Sequence, residues 1–477
     1  VSPGPPTTSG PDPGSFRDRD GRVFYVDGAV YRALGARGLA EWRALASTTF
    51  FPRAMAAGKV VASEETAAPA GELPGTAGGW EGFLRHQRLP FVSYPYEWCF
   101  GMLRDAALLQ LELLAAALGE GFVLRDATPY NVQWRGAEPT FIDVGSFARL
   151  RAGEPWVAYR QFCELFLFPL LLTAYRKVPF QPLLRGALDG IPAETCARLL
   201  RARDRLRPGV LVDVVLHSRL AAANADARTS VRGELRAAGF DRRLIERNVA
   251  RLRRIVERLS WQPARSTWSE YGEAPGYAAA DREAKRRFVA EAVGSRPGGG
   301  TWRLAWDLGS NTGEYAALAA EKSELVVAMD ADHLAVERLY RQLQGNEAHR
   351  RRILPLVVDV ADPPPGLGWR GRERPPLDER GRPELVLCLA LVHHLAIGRH
   401  LPVDELLDWL AATGEHLVVE HVDRSDPMVE RLLRDKDVAY DDYARPYFER
   451  QLERRFAVLR SEPVGATRRL YFARARR

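Results

Sequence analysis

The residues with the most chemical content fall in two clusters. The first is "WDLGSNTGEY" (Trp306 to Tyr315), followed by acids at Asp330 and Asp359. A strand pattern ends at Asp307, and Gly309 and Gly313 bracket a tight turn into a helix. Glycines here let the backbone approach a ligand, and the helix start offers unpaired N–H groups. Asn311 stands where a second glycine is common. The next strand ends in Asp330, 23 residues after Asp307, where a carboxylate can accept both hydroxyls of a ribose. Asp359 follows the third strand at the same edge and could accept from an adenine amino group. Together these residues describe a nucleoside-binding edge, for NAD or for S-adenosylmethionine (SAM). The second cluster is "RDATPYNVQW" with "FIDVGSF". Asp126, Asn131 and Asp143 have types and spacing suited to orienting a hydroxyl and holding a divalent metal.

The fourth strand of the first cluster runs into "LALVHHLAIG". It places Leu389 beside the cofactor and His393 or His394 near an acceptor. A neutral imidazole can take a proton near pH 7. Glu420, in "LVVEHV", is a second candidate. The plain reading of each is packing or a loop hydrogen bond. An Asn-Pro-Pro-Tyr signature is missing, which argues against the enzymes that carry it to methylate base or amide amino groups. Trp268, Tyr271 and Tyr277 either fold over the cofactor or pack between domains. The long polar connection Asp362 to Glu384 reads as an acceptor lid or a surface excursion.

These residues need a scaffold. From Ser260 onward, strand and helix patterns alternate, as in a doubly wound α/β sheet. "RFAVLRSEPVGATRRLYFARA" adds two strands joined by a turn. Three features favour SAM over NAD: the acid after the third strand, the single βα series, and this closing hairpin. Over about Trp261 to Arg477 the order of elements resembles the class I methyltransferase (Rossmann-like) fold. Upstream, short strands flank an Asp-Gly turn, a helix is expected over Glu97 to Leu118, and a long helical region runs from about Trp156 to Leu259. The spacing of Asp126, Asn131 and Asp143 resembles the catalytic loop and metal-binding turn of protein-kinase-like phosphotransferases. A Gly-x-Gly-x-x-Gly loop does not precede it, and Lys59 is the one lysine before Lys177, with Glu64 and Glu65 as nearby ion-pair partners. An α+β kinase-like domain of the pseudokinase type is therefore expected. An active kinase binding ATP and Mg²⁺ through those three residues is the alternative.

With 477 residues, two domains are the default. The boundaries expected are a disordered tail over 1–15, a kinase-like domain over 16–259 and a methyltransferase domain over 260–477. Hydrophobic residues make up 46% and charged residues 27%, the balance of a soluble globular chain. The net charge of +7 is almost all arginine, with both signs interspersed, so it does not mark a nucleic-acid surface. An Arg-studded amphipathic helix near Arg247 to Arg258 reads as a solvated face, or as a partner surface if both sites are vestigial. The four cysteines form no Cys-x-x-Cys pair, which fits a reducing, cytoplasmic setting. "FCELFLFPLLLTAY" is too short to span a bilayer and reads as a buried helix.

The whole arrangement resembles a bacterial family of two-part proteins related to the nodulation protein NoeA and grouped with class I SAM-dependent methyltransferases. The likeness rests on "SYPYEW" (Ser93 to Trp98), "RDATPYNVQW", "FIDVGSF", "WDLGSNTGEY" and "LALVHHL". It implies SAM-dependent methyl transfer to a carbohydrate or other small molecule. Kinase–methyltransferase pairs that cap polysaccharides have the opposite domain order, and they supply a second expectation, phosphorylation followed by methylation.

Overall fold

The computed structural model describes residues 10–69, 79–216, 218, 241–262, 279–434, 436–437 and 440–476. Trp268, Tyr271 and Tyr277 lie outside the described residues. Strands β1 (Gly10–Pro11), β2 (Gly21–Val26), β3 (Ala29–Leu34), β4 (Ser63–Thr66) and β5 (Gly82–His86) form an antiparallel sheet in the order β1-β2-β3-β5-β4. Asp27 and Gly28, with φ of 48° and 80°, close the β2–β3 hairpin, as a two-residue primed turn requires. Of the tail expected over 1–15, residues 10–15 are described, and they are ordered against β2. Gly10 and Pro11 pair with Tyr25 and Phe24, and Asp12 accepts a hydrogen bond from the Tyr25 hydroxyl at 3.0 Å.

The helix Phe100–Gly119 begins three residues later than expected, because Pro95–Glu97 forms a 3-10 turn of its own. After it come β6 (Phe122–Leu124), β7 (Val132–Arg135), β8 (Glu138–Phe141) and β9 (Phe147–Arg149). β6 pairs with β9 and β7 with β8, which holds the loops carrying Asp126 and Asp143 side by side. The helix Arg242–Arg258 buries Ile245, Val249, Leu252 and Val256 and leaves most of its arginines outward.

The second sheet contains β10 (Trp302–Leu308), β11 (Ser323–Asp330), β12 (Ile353–Val357), β13 (Leu385–Cys388), β14 (His416–Val422), β15 (Phe456–Val464) and β16 (Arg468–Ala475). Its order is β12-β11-β10-β13-β14-β16-β15, with β16 antiparallel to both neighbours and the first five strands parallel. Near-continuous apolar runs build these strands, as expected for parallel strands covered on both faces.

One cover is unusual. The crossover from β12 to β13 contains no α-helix, only 3-10 turns at Trp369–Gly371 and Leu377–Glu379. The N-terminal half supplies the packing instead. Phe91 sits edge-on to Trp306 of β10, with ring centroids 6.2 Å apart. Arg380, from the connection, reaches Glu97 of "SYPYEW" through two hydrogen bonds of 2.5 and 2.7 Å, and both side chains are almost fully buried. Its guanidinium also lies over the rings of Phe91 and Tyr94. The connection is therefore neither an acceptor lid nor a free excursion. Three more of its charged residues meet the other half of the chain: Glu373 on Arg17, Arg374 over Tyr130, Asp362 on Arg185.

A second joint involves the helix His333–Gln344. Glu337 accepts from the Gly101 N–H at 2.8 Å, satisfying a free donor in the first turn of Phe100–Gly119. Tyr340 donates to Asp105 at 2.7 Å and packs edge-on against Trp134. One contiguous apolar core runs through both halves.

Breaking a buried ion pair leaves an uncompensated charge. Arg380→Ala should therefore destabilise the chain by about 3–5 kcal/mol, while the paired change Glu97→Met with Arg380→Leu should recover most of that loss. Denaturant unfolding of the three chains is the check.

Candidate functional site

The carboxyl ends of the parallel strands open onto a cavity of about 1050 Å³. Asp307, Gly309, Asn311, Asp330, Asp359, Leu389 and His394, all singled out from sequence, line it. Gly313 sits just behind, where an added Cβ would run into Leu339. Gly309, Asn311 and Gly313 all have left-handed backbones (φ 70°, 47° and 83°). Asparagine tolerates that conformation better than other side chains, which is how Asn311 replaces a glycine in the turn.

Asp330 takes the amide N–H of Asn311 on one oxygen and that of Asp332 on the other, each at 2.8 Å. A carboxylate has about four acceptor positions, so capacity for hydroxyl donors remains. Asp359 accepts from the Ala361 N–H and is paired with Arg399 at the cavity's end. Asp307 differs from both. It is 2% exposed, and its Oδ2 has no hydrogen-bond partner. Burial, and then the nearby Asp330 carboxylate, push its pKa up to about 7, against the pull of Lys285.

The residues proposed for proton transfer separate. His394 lines the cavity; burial and the charge of Arg468 bring its pKa down to about 4. His393 does not line it. Its ring is buried, neither nitrogen has a hydrogen-bond partner, and burial holds it neutral well below the usual range. His393 is thus packing: its ring lies against that of His394, with centroids 4.0 Å apart, on the side away from the cavity. Glu420 is fully buried and lies behind the cavity wall. It accepts from Lys285 at 2.6 Å, from Arg468 at 3.2 Å and from the Ala390 N–H at 2.8 Å. Burial pushes its pKa up, but Lys285 and Arg468 outweigh that and hold it below the ordinary value. Glu420 fixes the Leu389–Leu391 backbone and the two cations and is poorly placed to act as a base.

Lys285, Tyr315, Arg468 and Met428 face the cavity and were not anticipated. Lys285 carried a weak signal, as one of only five lysines in the chain. Arg468 carried none among so many arginines.

In the N-terminal half, the Asn131 amide lies 3.5 Å from Asp143, and burial, then the Asp143 carboxylate, raise the pKa of Asp126. The cation facing Asp143 is Arg32 of β3, at 2.7 Å. Lys59 is not that cation, nor does it pair with Glu64 or Glu65. It meets Glu112, and Glu65 meets Arg43. The cavity beside Arg32, Glu41 and Arg125 holds about 30 Å³, roughly one water. Among the described residues no group of three or more Asp, Glu, His or Cys is placed to hold a metal ion.

No protein-family model matches the chain. Nodulation protein NoeA of Rhizobium meliloti (strain 1021) is 30% identical over 462 residues, 96% of this chain and 94% of that protein. Among solved structures, the N-methyltransferase NodS from Bradyrhizobium japonicum WM9 is similar over 41% of this chain and 97% of its own, at 11% identity and a TM-score of 0.31. The bifunctional kinase-methyltransferase WbdD is similar over 47% of this chain and 46% of its own, at 15% identity and a TM-score of 0.30. Likenesses that slight do not bear on function, which rests on the geometry above.

His393 offers a direct check on the separation of the two imidazoles. Its buried nitrogens lack partners, so His393→Leu should hold or raise stability, by up to about 1–3 kcal/mol, and leave the cavity intact. The folded state keeps this ring neutral while the unfolded chain protonates it below about pH 6.5. Wild-type stability should therefore fall as pH drops below that value, with a shallower fall in His393→Leu, measured by unfolding from pH 5 to 8.

Proposed function

This chain belongs to the NoeA family of nodulation proteins, and from that premise we infer that it transfers the methyl group of SAM to a small-molecule or carbohydrate acceptor. The observation that carries the reading is Asp307, a buried carboxylate with an unpartnered oxygen on the wall of a large cavity. Such a group suits a ligand with positive charge, and SAM carries a sulfonium and an ammonium. The other residues fit the same ligand. Gly309, Asn311 and Gly313 form the close-approach turn, Asp330 suits the ribose hydroxyls, and Asp359 suits the adenine amino group once Arg399 turns aside. Leu389 and Ala390 border the methionine end. SAM supplies a methyl group activated by its attachment to sulfonium. His394 faces the acceptor, and Glu420 keeps that wall in place.

The division proposed is a kinase-like unit over 16–259 and a methyltransferase unit over 260–477. The strand order β1-β2-β3-β5-β4, the helix Ala36–Ala46 between β3 and β4, and the gathering of Asp126, Asn131 and Asp143 support a kinase-like ancestry. Phosphoryl transfer is not part of the reading. The carboxylate that would hold Mg²⁺ for ATP is taken by the Arg32 guanidinium. The unit serves as a buttress, filling the place of the missing crossover helix. No helix among the described residues is long and apolar enough to cross a membrane.

Calorimetry should show binding of SAM and S-adenosylhomocysteine. Asp330→Ala removes charged hydrogen bonds worth roughly 1.5–3 kcal/mol, an affinity loss of about 10- to 150-fold, and unchanged affinity would refute the site. A cationic ligand favours ionised Asp307, whose pKa of about 7 in the free chain must then fall. SAM binding should release protons near pH 7 and weaken as pH drops below it. Titrations in buffers of different ionisation enthalpy measure this, and Asp307→Asn should abolish it.

A further inference from the structure

We propose that the acceptor presents an oxygen nucleophile, a carboxylate or a hydroxyl, and that the site disfavours amines. The inference rests on the SAM reading above. The sheet order lays the site out in a line: Asp359 after β12, Asp330 on β11, Asp307 on β10, His394 after β13, and Arg468 on β16 beyond β14. Adjacent strands are about 4.8 Å apart, so roughly 10 Å of sheet edge separates the strand before Asp359 from the strand of Asp307. Adenine, ribose and sulfonium follow one another along SAM in the same order. With the methionine end beside Leu389 and Ala390, the acceptor is left with the space beside His394 and Arg468.

That end is cationic where it meets the cavity. Lys285, Arg468 and His394 face inward, beside an apolar wall of Met428 and Leu432. The carboxylates that neutralise the two cations stand behind them. Glu420 and Asp426 are both buried, and neither lines the cavity. Glu314, which does line it, is half-exposed and tied to Arg286 at 2.9 Å. An ammonium group would enter between Lys285 and Arg468 with the sulfonium as a third positive charge, and like charges repel strongly away from bulk water.

An amine acceptor must also lose its proton before it can attack. His394 is held neutral with a pKa near 4 by burial and Arg468, far below an alkylammonium at about 10, so it cannot take that proton efficiently. A carboxylate is drawn by the same cations and has no proton to lose. A hydroxyl turns strongly acidic only as the methyl group arrives, when a weak base suffices. In both cases the methyl C–S bond breaks with its electron pair staying on sulfur, leaving the neutral thioether of S-adenosylhomocysteine. The new C–O bond forms from an oxygen lone pair. A hydroxyl proton passes to His394, and a carboxylate releases none.

The test incubates the full chain with methyl-labelled SAM and a small-molecule cell extract, then sorts the label by chemistry. Label released as methanol in mild base marks an ester; label in base-stable products that pass a cation exchanger uncharged marks an ether. Either supports the proposal. With an ether product, His394→Gln should lower transfer at least about 100-fold with SAM affinity unchanged; with an ester product, transfer should persist in that variant. Label retained on the cation exchanger as a methylated amine overturns the oxygen acceptor while leaving SAM-dependent transfer standing. SAM that binds in calorimetry yet delivers no label to any pool overturns both.

Discussion

A parallel sheet has to be covered on both faces, and in this chain part of one cover is borrowed. The β12–β13 crossover brings no helix of its own, so Phe91 and the "SYPYEW" segment pack there, pinned by Arg380 on Glu97. Much else follows from that substitution. The helix His333–Gln344, which follows closely on the cavity-lining Asp330, gives Glu337 and Tyr340 to the other half. The cavity's Asp330 edge is therefore braced from outside its own sheet. Preorganisation of this kind limits what must be ordered when a ligand binds.

At the opposite end of the cavity the organising group is Glu420. One buried carboxylate holds a lysine from the helix Ala279–Gly294, an arginine from β16 and the amide of Ala390. Those three partners come from far apart in sequence and meet only when the sheet closes. The same contact presents two cations to the cavity and keeps the balancing negative charge out of it. Charge at this wall is set by which side of the salt bridge faces inward, while the cluster as a whole stays close to neutral.

The acids that line the cavity are legible in the sequence because they follow local rules. Asp307, Asp330 and Asp359 lie at or just past the carboxyl ends of strands of one parallel sheet, and the turn after Asp307 needs left-handed backbone at fixed offsets. Asp126, Asn131 and Asp143 are legible as a group for a similar reason, since the β6–β9 pair encloses the β7–β8 hairpin and brings their loops together. The partners supplied by tertiary packing are not legible. Arg32 and Arg468 sit in strands like many other arginines, and only the folded chain shows which of them meets a carboxylate. The connection Asp362 to Glu384 looks like a loop because it is polar, yet Arg380 is buried against Glu97. A pairing across 283 positions leaves no periodic trace. His393 and His394 are indistinguishable as letters, and only the folded chain shows which of two touching rings reaches the cavity.

The borrowed cover also bears on how such a chain is inherited. Two domains joined by a linker can be shuffled, split into separate genes or recombined with new neighbours. Here the Trp306 face of the sheet would be left bare without Phe91, and Glu97 would be buried without its cation. Each half carries a surface that only the other can cover. The two halves therefore stand or fall as a pair, and a change at Glu97 or Arg380 alone strands a charge at the seam between them.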